Sequence, residues 1–93
     1  MSTCDFHTPV KHTSDSLLKN IVGANVRKIR FGQKVPVSQQ DLAGRLAALG
    51  ISIDRSAIAR IERGDRYVLD YEAAAIARAF RVPITELFRQ TKE

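Results

Sequence analysis

Apolar residues recur along this chain at intervals of three and four, and no stretch alternates strictly as a half-buried strand does. Leu18, Val22, Val26 and Ile29 carry the first stripe and predict a helix from about Ser16 to Phe31, stopped by Gly32. The segment VSQQDLAGRLAAL predicts a second. Ser38 is a natural N-cap with Asp41 three residues on, Val37 is placed to staple to Leu42 across it, and Leu42, Leu46 and Leu49 form the inner stripe before Gly50. A third helix, DRSAIARIERG, is capped by Asp54, repeats the staple with Ile53 and Ile58, and ends at Gly64. The fourth starts at a second acidic cap, Asp70, and runs through Ala73, Ile76, Ala77 and Phe80. Pro83 suits the start of a fifth, PITELFR, with Ile84, Leu87 and Phe88 as its apolar stripe. The pattern predicts an all-α domain of five short helices over residues 16–93. Residues 1–15, rich in Thr, Ser and His and without an apolar period, are expected to form a flexible arm.

The third helix is unusual in joining an apolar side to so much fixed charge. At about 100° per residue, Ile58 and Ile61 share one face, while Ser56, Ala59, Arg60 and Arg63 lie opposite and Arg55 sits on the flank. The isoleucines anchor the helix, and the small residues Ser56 and Ala59 keep the other face thin enough for close approach to a partner. Glu62 projects beside the isoleucines rather than among the arginines.

Charge sharpens this picture. The net charge is +5 and the sequence pI about 9.9. Residues 1–19 and 67–93 each sum to zero, whereas residues 20–66 hold nine Lys and Arg against four Asp and Glu. A basic excess confined to one region is the footprint expected of a nucleic-acid binder, though a solvated basic surface fits the same count. A 93-residue chain with 44% hydrophobic residues builds one modest core. Its single cysteine excludes an intramolecular disulfide, and neither a membrane span nor a signal-peptide core is visible, so a cytoplasmic protein is expected. Cys4, His7 and His12 lack a fourth ligand for a metal, and no cofactor is expected. Both histidines fall in the arm, so no base stands beside a nucleophile and no enzyme is expected.

In order, VGANVRKIR, SQQDLAGRL, RSAIARIERG and DYEAAAIARAFRVPITELF resemble the helices of the Cro and phage-repressor type, the XRE helix-turn-helix family, over roughly residues 20–90. The resemblance implies a lambda-repressor-like fold with the helix-turn-helix at about residues 38–64. It implies that Arg55, Ser56 and Arg60 face base edges, and that Ser38, Gln39, Asp54, Arg63, Arg66 and Tyr67 lie near phosphates. Gln39 also falls where the family braces the third helix, and Arg30 and Glu62 fall on an internal ion pair. Two segments depart from the family's spacing: the stretch between Leu46 and Ile53 is longer than usual, and GQKVPV is slightly extended.

The expectation that follows is a sequence-specific double-stranded DNA-binding transcriptional regulator, acting as a repressor, with the helix at 54–63 in the major groove. The family's habit implies a homodimer on a palindromic or pseudopalindromic operator. The competing reading is a protein-interaction adaptor or antitoxin subunit, in which the same basic face meets an acidic protein such as a toxin.

Overall fold

A computed structural model describes residues 18–89. The arm reading for residues 1–15, with Cys4, His7 and His12, and the expected helix start at Ser16 lie outside these residues. Four α-helices follow one another: α1 (Gly23–Gly32), α2 (Gln39–Ala48), α3 (Arg55–Arg63) and α4 (Asp70–Phe80). A 3₁₀ helix, Ile84–Phe88, closes the chain, and no strand occurs among the described residues. The class is all-α, with four α-helices and a 3₁₀ turn in place of five helices.

Each boundary has a local cause. Asn20 Oδ1 accepts the N–H groups of Val22 and Gly23 at 3.0 and 2.7 Å, so α1 starts well after Ser16. Leu18 is therefore outside the helix and 42% exposed rather than part of its inner stripe. At α2, Ser38 Oγ accepts from Asp41 N–H at 2.9 Å while the Asp41 carboxylate accepts from Ser38 N–H at 3.2 Å, a reciprocal capping box. The helix ends at Ala48, which places Leu49 in the turn and 38% exposed instead of in the core. The connection to α3 therefore runs over residues 49–54.

Asp54 Oδ1 caps α3 by accepting from Ala57 N–H at 2.9 Å. Its far end is closed by Gly64 at φ 80°, with Asp65 N–H reaching Arg60 O at 2.9 Å. Asp70 does not cap α4; Leu69 is the N-cap residue, and the Glu72 carboxylate accepts its N–H at 3.0 Å. The last segment is a five-residue 3₁₀ turn, tied to α1 where Asn25 Nδ2 donates to the carbonyls of Leu87 and Arg89, each at 2.8 Å. Within it Leu87 alone is buried; Ile84 and Phe88 are 42% and 45% exposed.

The core gathers Val22, Val26, Val37, Leu42, Leu46, Ile53, Ile58, Ile61, Ile76, Phe80 and Leu87. Helix α3 sits between α1 and α2, and α4 lies against α2 and the 3₁₀ turn. Ile58 and Ile61 are 1% and 0% exposed. Fully burying each stabilises the fold by about 1.5–3 kcal/mol relative to leaving it in water, which fixes the rotation of α3 about its own axis.

Candidate nucleic-acid interface

Three independent devices hold α3 from behind. One is the isoleucine pair. The second is ionic: Arg30 donates to Glu62 from Nε at 2.8 Å and from Nη2 at 3.0 Å, and its Nη1 reaches Val37 O at 3.1 Å. Both side chains are nearly dry, 8% and 3% exposed. Gln39 Nε2 adds a third donor to Glu62 at 3.1 Å, tying the first residue of α2 to α3. The Phe31 ring covers the Arg30 guanidinium at 4.6 Å.

The third device is backbone contact at the far end of α3. Asn20 Nδ2 donates to Ile61 O at 3.1 Å and Arg66 O at 2.8 Å, while Lys19 N–H meets Gly64 O at 2.8 Å. Gly23 lies so close that a Cβ there would collide with the Ile61 carbonyl oxygen. Asn20 and Gly23 were not legible as positioning residues in the sequence, since they lie about 40 residues from the carbonyls they meet.

With its back immobilised, α3 turns Arg55, Ser56 and Arg60 to solvent. Neither arginine has a carboxylate partner among the described residues. Ala59 is half-buried and adds little height to this face. Ser38 is exposed beside it in the chain order of α2, and Gln39 is half-buried. The capping arrangements use the N–H groups of Asp41 and Ala57, leaving those of Gln39, Gln40, Arg55 and Ser56 at the two helix starts without an acceptor among the described residues. Such groups carry partial positive charge and suit an anion.

The remaining sequence-singled residues divide by role. Arg63 is exposed and pairs with Asp65 at 3.1 Å. Tyr67 is 67% exposed, with the Lys19 ammonium 5.5 Å from its ring centre. Arg66 is engaged internally: Nη1 and Nη2 bond both Glu72 carboxylate oxygens at 3.0 and 3.2 Å, and Nη1 also reaches Tyr67 O at 3.1 Å. The hydrogen bonds from Arg66 hold the Glu72 carboxyl below its usual range against the opposing pull of burial. The same bonds raise the Arg66 guanidinium above its already high value. Asp54 spends one carboxylate oxygen on the cap of α3.

A helix-turn-helix family model matches residues 37–87, which span α2, α3, α4 and most of the closing turn. The chain belongs to the Cro/C1-type helix-turn-helix family. The family is one of DNA-binding regulators. Among solved structures, it is similar to the restriction-modification controller protein C.AhdI from Aeromonas hydrophila, at 31% identity over 83% of this chain and 100% of that one, with a TM-score of 0.63. It is also similar to the DNA-binding domain of BldD, at 29% identity over 77% of this chain and 93% of that one, with a TM-score of 0.59. No curated protein matches the chain. No helix among the described residues is long and apolar enough to cross a membrane.

Proposed function

We propose that this helix-turn-helix protein is a cytoplasmic, sequence-specific transcription regulator, a repressor that occupies its operator by laying α3 in the major groove of duplex DNA. The observation that carries the reading is the two-sidedness of α3. Its inner face is locked by Ile58, Ile61 and Glu62, while Arg55 and Arg60 face solvent with no carboxylate partner among the described residues. The major groove, about 12 Å wide, admits a helix and shows each base pair as a distinct set of donors and acceptors.

Arg55, at the first turn, is placed for a bidentate contact to guanine, with Ser56 and Arg60 completing the base-reading face. The free N–H groups at the starts of α2 and α3, with the Ser38 hydroxyl and the remaining Nε2 hydrogen of Gln39, hold phosphates on either side. Asp54 serves there through its cap, because a carboxylate repels phosphate. Arg63 and Tyr67 reach the flanking backbone beyond the end of α3, and Arg66 contributes positive potential while tethered to Glu72. A homodimer places two such helices in successive turns of a palindromic or pseudopalindromic site.

Selection from a random duplex library, followed by anisotropy titration, tests this. Arg55→Ala should cost about 1–3 kcal/mol of discrimination at one or two positions. Gln39→Ala should weaken all duplexes alike, and affinity should fall steeply with salt. An enriched site that binds the Arg55→Ala and Arg60→Ala proteins with unchanged affinity and preference would remove α3 from the interface.

A further inference from the structure

Among the described residues four arginines are matched to a carboxylate: Arg30 to Glu62, Arg63 to Asp65, Arg66 to Glu72 and Arg89 to Glu86. Arg27 stacks on Phe31, 5.4 Å from the ring centre. The arginines left over form two sets. Arg55 and Arg60 belong to α3 and to the reading above. Arg45, Arg78 and Arg81 line a separate open groove of about 570 Å³, where the C-terminal end of α2 meets that of α4. No Asp or Glu is among the residues lining it, and Ala48, Leu49 and Phe80 contribute apolar surface. Counted along the sequence, residues 67–93 are neutral; in space Glu72 is taken by Arg66 from outside that stretch, and among the described residues the groove is lined by three arginines and no carboxylate.

We propose that this groove docks an acidic segment of a partner protein, one in which an apolar side chain lies between carboxylates. The inference goes beyond DNA binding and stands on a different surface. Guanidinium forks match carboxylates bidentately, and here one of them is already oriented, since Arg45 Nη1 is held by Ala79 O at 3.1 Å. Leu49, 38% exposed beside these charges, supplies what a sugar–phosphate backbone does not use: a dry surface for an apolar side chain.

Complementing the helix dipole accounts for Arg45 and Arg78, which sit in the last turns of α2 and α4. It does not account for Arg81. That residue lies past the end of α4 at φ 61°, a left-handed position where glycine is the usual choice. The groove is also remote from the phosphate-facing start of α2. Gln39 and Ala48 are the two ends of that helix, separated by roughly 13 Å at its rise per residue. A duplex on α3 and a peptide in the groove are therefore compatible.

The test is anisotropy of a fluorescein-labelled peptide of Asp, Glu and Leu, each Leu between two acids, against the full chain, three double variants and L49A. R78Q/R81Q should lower peptide affinity at least about tenfold while the selected duplex binds within about twofold of wild type. R55A/R60A should do the reverse. R78K/R81K, which keeps the charge, should retain most of the peptide binding, and L49A should weaken this peptide but not a Leu-free polyglutamate. Thermal melting of each variant confirms that it is folded. Unchanged peptide affinity in R78Q/R81Q overturns the proposal, as does its loss in R55A/R60A. Tighter binding of a single-stranded oligothymidine than of the peptide, abolished by R78Q/R81Q, would reassign the groove to nucleic acid and overturn it too.

Discussion

Replacing Glu62 with alanine should destabilise this domain by several kcal/mol, on the order of 3–5. Glu62 accepts from Arg30 Nε, Arg30 Nη2 and Gln39 Nε2 at 2.8, 3.0 and 3.1 Å, in surroundings that leave its side chain 3% exposed. Glu62→Ala strands a guanidinium that is 8% exposed with only Val37 O and the Phe31 ring for company. Leaving a buried charge without its partner costs about 3–5 kcal/mol. A domain of this size has roughly 4–11 kcal/mol in total, at about 0.05–0.15 kcal/mol per residue over residues 18–89. The variant should therefore lose a large part of its stability and more than about 10 °C in Tm.

Urea unfolding followed by circular dichroism measures this, with an unchanged m value showing that the compactness of both states is preserved. The double variant Arg30→Met with Glu62→Leu should recover most of the loss, because the penalty comes from the stranded charge rather than from the missing attraction. A Glu62→Ala loss below about 1 kcal/mol, the range of an exposed ion pair, would refute the picture of a desolvated pair bracing α3.

Gly23→Ala should destabilise by about 1–3 kcal/mol in urea titration despite alanine's better helix propensity, since its Cβ would press on the Ile61 carbonyl; a stabilised variant would contradict that contact. Ser38→Ala removes the Ser38 half of the α2 capping box and should cost about 0.5–2 kcal/mol by the same titration, with no gain in DNA affinity. The Glu72 carboxyl is depressed in the folded state, so its contribution is fully present above the ordinary carboxylate pKa and is lost as pH falls through its lower folded value. Glu72→Gln should accordingly flatten the acid limb of Tm against pH while leaving the slope near neutrality unchanged, which pH-dependent thermal melts resolve.

Much of α2 and α3 was legible in the sequence because their determinants are local. Caps at Ser38 and Asp54, the closing Gly64, and the stripe of Leu42, Leu46, Ile58 and Ile61 all act within one or two turns. The ends of the other elements were less legible for the opposite reason. The start of α1 at Gly23 is set by Asn20, whose amide group also serves carbonyls on α3 and at Arg66. The closing turn is tied to α1 by Asn25, whose Nδ2 donates to the Leu87 and Arg89 carbonyls from about 60 residues away in sequence. Leu18, Leu49, Ile84 and Phe88 continue apolar stripes in the sequence yet are exposed, since each lies beyond or outside the regular helix that the stripe assumes.

Local sequence alone determined which segments become helices, which face of α3 is apolar, and the separation of Arg55, Ser56 and Arg60 from Ile58 and Ile61. Those outcomes depend on backbone periodicity and on hydrogen bonds between residues three or four apart. Tertiary structure alone decided which charges remain available. Glu72 is spent on Arg66, and Glu62 on Arg30 and Gln39, so a segment neutral by count contributes two of the three arginines of a basic groove. Charge neutralisation depends on distances of about 3 Å between side chains, and the packing of α1 and α2 against α3, and of Arg66 against the first turn of α4, sets those distances.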